Sequence, residues 1–214
     1  MGLVPAALTT TAQALALLRR SALITLTRVG ELASLCEAVA AGPIVGSWWG
    51  HPKGGVIFRI ASELEDHAEV LVTKLVAGKV TFLHAALWPA LYRVVSDEEW
   101  RAARIRTLDA PSRQLLERLE TEGVLRPADK RTKGVLEASL LVRAVSVHTD
   151  KGSHATELSS WRRWATPEVK GAAAKLSLDD ALGELRTHAK GAPLALEEKV
   201  GRARSKRPLR PQRV

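Results

Sequence analysis

A single cysteine, Cys36, in 214 residues excludes a disulfide framework and any site built from several thiolates. It fits a reducing compartment, here the cytoplasm. No apolar run approaches the roughly 18–20 residues that cross a bilayer, so no membrane partner is expected. Met1 to Leu18 is apolar, but Arg19 and Arg20 follow the stretch instead of preceding it, the reverse of a secretory signal. Ala6 stands where N-myristoylation needs Ser or Thr. No internal repeat is visible. Gly54-Gly55 is not part of a G-x-x-x-x-G-K phosphate loop, and the six histidines (51, 67, 84, 148, 154, 188) show no ligand spacing such as H-E-x-x-H. Neither a metal nor a cofactor is expected.

What is present is an ordinary globular balance, 46% hydrophobic and 26% charged, sufficient for one large domain or two small ones. The net charge of +9 is concentrated at one end. Lys199 to Val214 holds seven Lys/Arg and no acid, which leaves +2 for everything before it. Arg202, Arg204, Lys206, Arg207, Arg210 and Arg213 form an electrostatic footprint for polyanions; the alternative is a solubilising extension.

Local patterns divide the chain into a helical N-terminal domain (1–107), a winged-helix-like domain (108–165), a C-terminal helix (166–192) and a disordered basic tail (193–214). In the first part helices are expected from about Ala12, over Glu31 to Ala41 and over Val56 to Val76, the last with a candidate break near Asp66 and an end at Gly78. Leu23 to Val29 alternates like a short strand, and Ser47 to Gly55 is loop. Thr81 to Val95 is apolar and buried, with Pro89 as a bend or boundary, and Ser96 caps a helix running to about Thr107. In the second part Asp109 and Pro111 open a helix that stops at Gly123; a short helix around Pro127 to Thr132 and a longer one over Gly134 to Ala144 follow. Ala144–His148 and Ala155–Leu158 read as a hairpin around Asp150-Lys151-Gly152-Ser153. Three helices and a hairpin are the layout of a winged helix, with Lys151 at the wing tip. Ser177 caps a further amphipathic helix to Ala189. The fold class is therefore mainly α with a small β component.

Three stretches carry a family likeness. They are Glu31-Leu-Ala-Ser-Leu-Cys-Glu-Ala-Val-Ala40, Gly46-Ser-Trp-Trp-Gly50, and Lys74-Leu75 through Gly78-Lys79 and Thr81-Phe82 to Pro89 and Tyr92. Over residues 20–165 the chain resembles AlkZ-related proteins, short relatives of the winged-helix DNA glycosylases of the AlkZ type. The resemblance implies a winged-helix fold and a role on DNA, with a link to repair. It does not carry catalysis over. Those glycosylases position water with a Gln, an apolar residue and then Asp or Gln. Here Gln13, Gln114 and Gln212 are followed by Ala14-Leu15, Leu115-Leu116 and Arg213-Val214.

Among local constellations, Glu63-Leu-Glu-Asp-His67 scatters its charges around a helix surface, which reads as a solvated face. His148 and His154 face each other across the hairpin as two solvated residues. Trp48, Trp49, His51 and Lys53 either form a pocket that stacks a base and holds a phosphate, or plug the core. Cys36 is packing. Around the third helix Lys130, Arg131, Lys133, Arg143 and Lys151 suit phosphate contacts. Val135, Ala138, Ser139 and Val142 on its outer face lack the side chains that read base edges. The expectation is a DNA-binding protein of low sequence specificity. The alternatives are a non-catalytic protein–protein interaction or dimerisation module, such as a homodimer, built on that apolar face, and a divergent glycosylase.

Overall fold

The Thr10 hydroxyl accepts a hydrogen bond from the backbone N–H of Gln13, and the Gln13 side-chain oxygen accepts one in turn from the Thr10 N–H, so the chain is committed to a helix before its first apolar turn. That helix is α1 (Thr11–Ser21). In the computed structural model, residues 7–127, 129–148 and 154–197 are described, without the side chains of His148 and His154. Lys151 and the basic stretch from Lys199 onward lie outside them. No helix of the described residues is long and apolar enough to cross a membrane. The protein is mainly helical with two small antiparallel sheets.

The first sheet corrects the picture of an N-terminal domain that is helical apart from the strand-like stretch Leu23 to Val29. It is ordered β1 (Leu23–Thr25), β3 (Lys79–His84), β2 (Val70–Val76). The helix expected over Val56 to Val76 is α3 (Gly54–Glu65), and the apolar stretch after it is β2. Ala77 and Gly78, with φ of 48° and 65°, make the two-residue turn between β2 and β3. Gly78 thus takes the positive φ expected of it, in a hairpin and not at a helix end. Side chains on successive strand residues go to opposite cores. Ile24, Val70 and Phe82 pack with α1, α2 (Leu35–Ala40) and α3, while Leu23, Leu71 and Leu83 pack on the other side. A sheet covered on both faces needs apolar residues at both parities, which removes the alternation that marks a half-exposed strand.

The second face is covered by α4 (Trp88–Val95) and α10 (Leu178–Ala189). Pro89 lies in the first turn of α4, so it begins a helix and does not bend one. The cap of α5 (Glu98–Ile105) is Asp97, one residue after the expected Ser96. The C-terminal region holds α8 (Trp161–Trp164) and α9 (Pro167–Ala173) as well as α10, which Ser177 caps as expected. Residues 192–197 then run back as a strap along β2. Ala195 donates to the Leu75 carbonyl at 2.7 Å, Ala77 donates to that of Pro193 at 2.8 Å, and Leu194 bridges Val76. The last elements therefore share a core with the first ones.

The third core gathers Leu115, Leu116 and Leu119 of α6 (Ala110–Glu122), Leu136 of α7 (Lys130–Ala138), and Leu125, Leu141, Val142 and Leu158. Its sheet is ordered β4 (Val124–Leu125), β6 (His154–Ser159), β5 (Arg143–His148). The hairpin matches the sequence reading, down to the pairing of His148 with His154. The helices before it do not. One helix, α7, replaces the two expected over 127–132 and 134–144, because Asp129 caps it and Leu140, at φ 56°, has left helical geometry. Val142 is consequently 2% exposed and unavailable to a partner, which removes it from the proposed dimer face.

Candidate nucleic-acid interface

Position on α7 separates the predicted basic residues. Lys130 and Arg131 begin the helix and are exposed. Arg131 lies 3.8 Å from Asp109, a long, solvated ion pair. Lys133, one turn on, is half-buried and donates from Nζ to Thr156 Oγ1 of β6 at 2.8 Å, tying the helix to the sheet. Arg143 is the first residue of β5, not the end of a helix. It is half-buried, its Nε has no hydrogen-bond partner, and burial lowers its pKa against the opposing pull of Glu157 and Glu65. It leaves the solvent-facing set. Lys151, Arg202, Arg204, Lys206, Arg207 and Arg210 lie outside the described residues.

Acidic groups shape the same surface. Asp129 accepts from the backbone N–H groups of Arg131 and Thr132 at 3.1 and 2.9 Å and from the Thr132 hydroxyl. These bonds, the hydroxyl's foremost, hold its carboxyl below the usual range. Asp109 is lowered in the same way by the Ser112 hydroxyl and backbone. With Asp129 seated on the helix N-terminus, the backbone N–H groups of Arg131 and Thr132 are already taken. Arg126, exposed beside them, is paired with Glu157 at 3.0 Å.

The residues expected as a pocket divide. Trp48 packs against the core behind α2 and α3, so the plugging role is its own. Trp49 stacks on it with ring centroids 4.1 Å apart and is 64% exposed. Phe58 of α3 lies 5.5 Å away and is also exposed, a neighbour the sequence reading missed although helical spacing from Gly54 places it on the outer face. Lys53 Nζ donates to the carbonyls of Val39 and Ala40, closing the C-terminal end of α2. His51 Nδ1 accepts the Lys53 N–H. The aromatics and the cations of this segment therefore do not converge on one ligand.

Between the two sheets lies a cleft of about 200 Å³. The Lys74–Glu137 ion pair (2.8 Å) crosses it, and Glu65 accepts from the backbone N–H of Ser146 at 3.4 Å. Glu63 turns to the Thr11 hydroxyl and Arg59, so the carboxylates of residues 63–67 are dispersed as their spacing predicts. Among the described residues no group of three or more His, Cys, Asp or Glu is placed to hold a metal. Cys36 is buried, and desolvation pushes its thiol up to about 11. No family model matches the chain, and no curated protein or solved structure is significantly similar to it.

Proposed function

We propose that this protein binds DNA through the phosphate backbone, with little discrimination between base sequences, and that residues 108–165 act as a winged helix. The observation that carries this reading is a helix with two exposed cations at its start, packed in a helix–strand–helix–hairpin unit whose first strand pairs with its last. α7 is the element offered to a groove, and one helix stands where a longer winged helix has two. Lys130 and Arg131 are its phosphate contacts, and the seven Lys/Arg of 199–214 add affinity. Low specificity follows from what else α7 carries. Glu137 is tied to Lys74, Val135 is half-buried, and Ala138 has no donor or acceptor.

The test is fluorescence anisotropy of the full chain on unrelated duplexes over a salt series. Affinities should agree across sequences and fall with salt at a log–log slope of about −0.9 per phosphate contact. Lys130→Glu with Arg131→Glu should reduce that slope by about two such contacts. Absence of duplex binding at low salt, or an unchanged isotherm for the double variant, defeats the reading.

A further inference from the structure

Where α2 and the turn before it pack beside α1 and the N-terminal stretch, a trough of about 470 Å³ opens to solvent, within the size range of small-molecule sites. Leu8, Leu17, Leu32 and Ala38 line it, Leu32 buried and the other three half-buried. The polar groups around it are satisfied with one exception. Ser34 donates its hydroxyl to the Leu26 carbonyl and accepts the Glu37 N–H, and the Glu37 carboxylate lies 3.5 Å from Arg28. Arg20, exposed in the last turn of α1, has no hydrogen-bond or ion-pair partner among the described residues. Two guanidiniums and one carboxylate give the rim one uncompensated positive charge.

An apolar bed beside a guanidinium with no partner among the described residues suits an amphiphile with an anionic head. A guanidinium presents a planar fork to a carboxylate, and the hydrocarbon attached to that carboxylate is what an apolar trough shelters. A neutral apolar molecule leaves Arg20 unused, and a nucleic acid has no hydrocarbon body to fill the floor. We propose that the trough binds a small amphiphile carrying one carboxylate, its chain against Leu8, Leu17 and Leu32 and its head at Arg20. This site is separate from the surface of α7 and stands whether or not the protein binds DNA.

Calorimetric titration of the full chain with decanoate, decanol and decyltrimethylammonium, each below its aggregation threshold, tests the proposal. Decanoate should bind saturably, one per chain, about tenfold or more tighter than decanol, and the cation should not bind. Arg20→Glu, at an exposed position that does not threaten folding, should weaken decanoate by about tenfold or more. Ala38→Phe, which fills the floor, should abolish saturation. Equal binding of all three amphiphiles, no saturable heat, or undiminished binding by the Arg20 variant overturns it. So does a response that appears only after residues 2–6 are deleted, because the chain's own N-terminal residues would then be the occupant.

Discussion

Replacing Arg104 with methionine isolates the polar contribution of one buried cation. Arg104 is 6% exposed, and its guanidinium carbon lies 4.4 Å from the centre of the Trp100 ring. It donates from Nη1 to the Ser139 carbonyl at 3.1 Å and from Nη2 to the Ala195 carbonyl. It thereby joins α5, the end of α7 and the strap. Hydrogen bonds from a charged donor contribute about 1.5–3 kcal/mol each, and a desolvated cation–π contact about 2 kcal/mol. Methionine keeps most of the aliphatic volume and removes a charge whose burial is itself costly, so part of the loss is returned. The net expectation is a destabilisation of about 3–4 kcal/mol. For a chain of this size that lowers Tm by about 6–16 °C. Urea unfolding followed by tryptophan emission gives the first quantity and calorimetry the second. Hydrogen exchange adds a local readout: the N–H groups of Ala77 and Ala195, bonded across the strap, should lose protection before the core strands do. A variant within about 0.5 kcal/mol of wild type, the range of ordinary surface substitutions, with both amides still protected, refutes this account of the strap.

Four further outcomes are expected. Glu69 receives two hydrogen bonds from Arg19 and lies 3.1 Å from His84, and these hold its pKa at about 2. A depressed carboxyl stabilises the fold above its ordinary value of 4.5 and loses that effect as pH falls through about 2. The stability gap between wild type and Glu69→Gln should therefore close over that interval, and a gap that is constant in acid contradicts the pairing. Cys36 should resist iodoacetamide at pH 8 until denaturant is added, and rapid labelling of the native protein would count against its burial. A Cβ at Gly54 would meet the Trp48 and Trp49 carbonyl oxygens at 3.0 Å, so Gly54→Ala should cost about 1–3 kcal/mol in chemical denaturation. Val142→Glu places a charge in the third core and should unfold that unit, seen as loss of the β5–β6 amide protection; a folded monomer would show the side chain to be outside.

The parts of the fold legible in the sequence are those set by a few adjacent residues. Asp109 and Ser177 announce their helices because a side-chain acceptor three residues before a free N–H is a local event. The β5–β6 hairpin is legible because turn residues separate two strand-like runs. β2 is hidden for a nonlocal reason: with Val70 on one core and Leu71 on the other, the segment shows no alternation, and only the four residues 66–69 separate it from a true helix. On α7 the decisive residue was Asp129, whose capping bonds start the helix at Lys130 and make Gly134 an interior residue. That displacement moved Arg143 and Val142 off the helix and changed what each could contact. Of the candidate site, the exposed pair Lys130 and Arg131 was readable. The division of Trp48 from Trp49 was not, since a tight turn sends neighbouring rings to different environments. In the sequence Arg20 reads only as a charge on the wrong side of an apolar stretch; its trough depends on Leu32 and Ala38, which the fold brings in from elsewhere.

The strap has one more consequence. β2 is the outer strand of its sheet, and on the side away from β3 the Leu75 carbonyl is taken up by the Ala195 N–H and the Ala77 N–H by the Pro193 carbonyl. Those groups would otherwise form a template for a strand from another molecule. Arg104 thus helps to keep that margin covered: a variant that loses its grip on Ala195 should show association that grows with protein concentration.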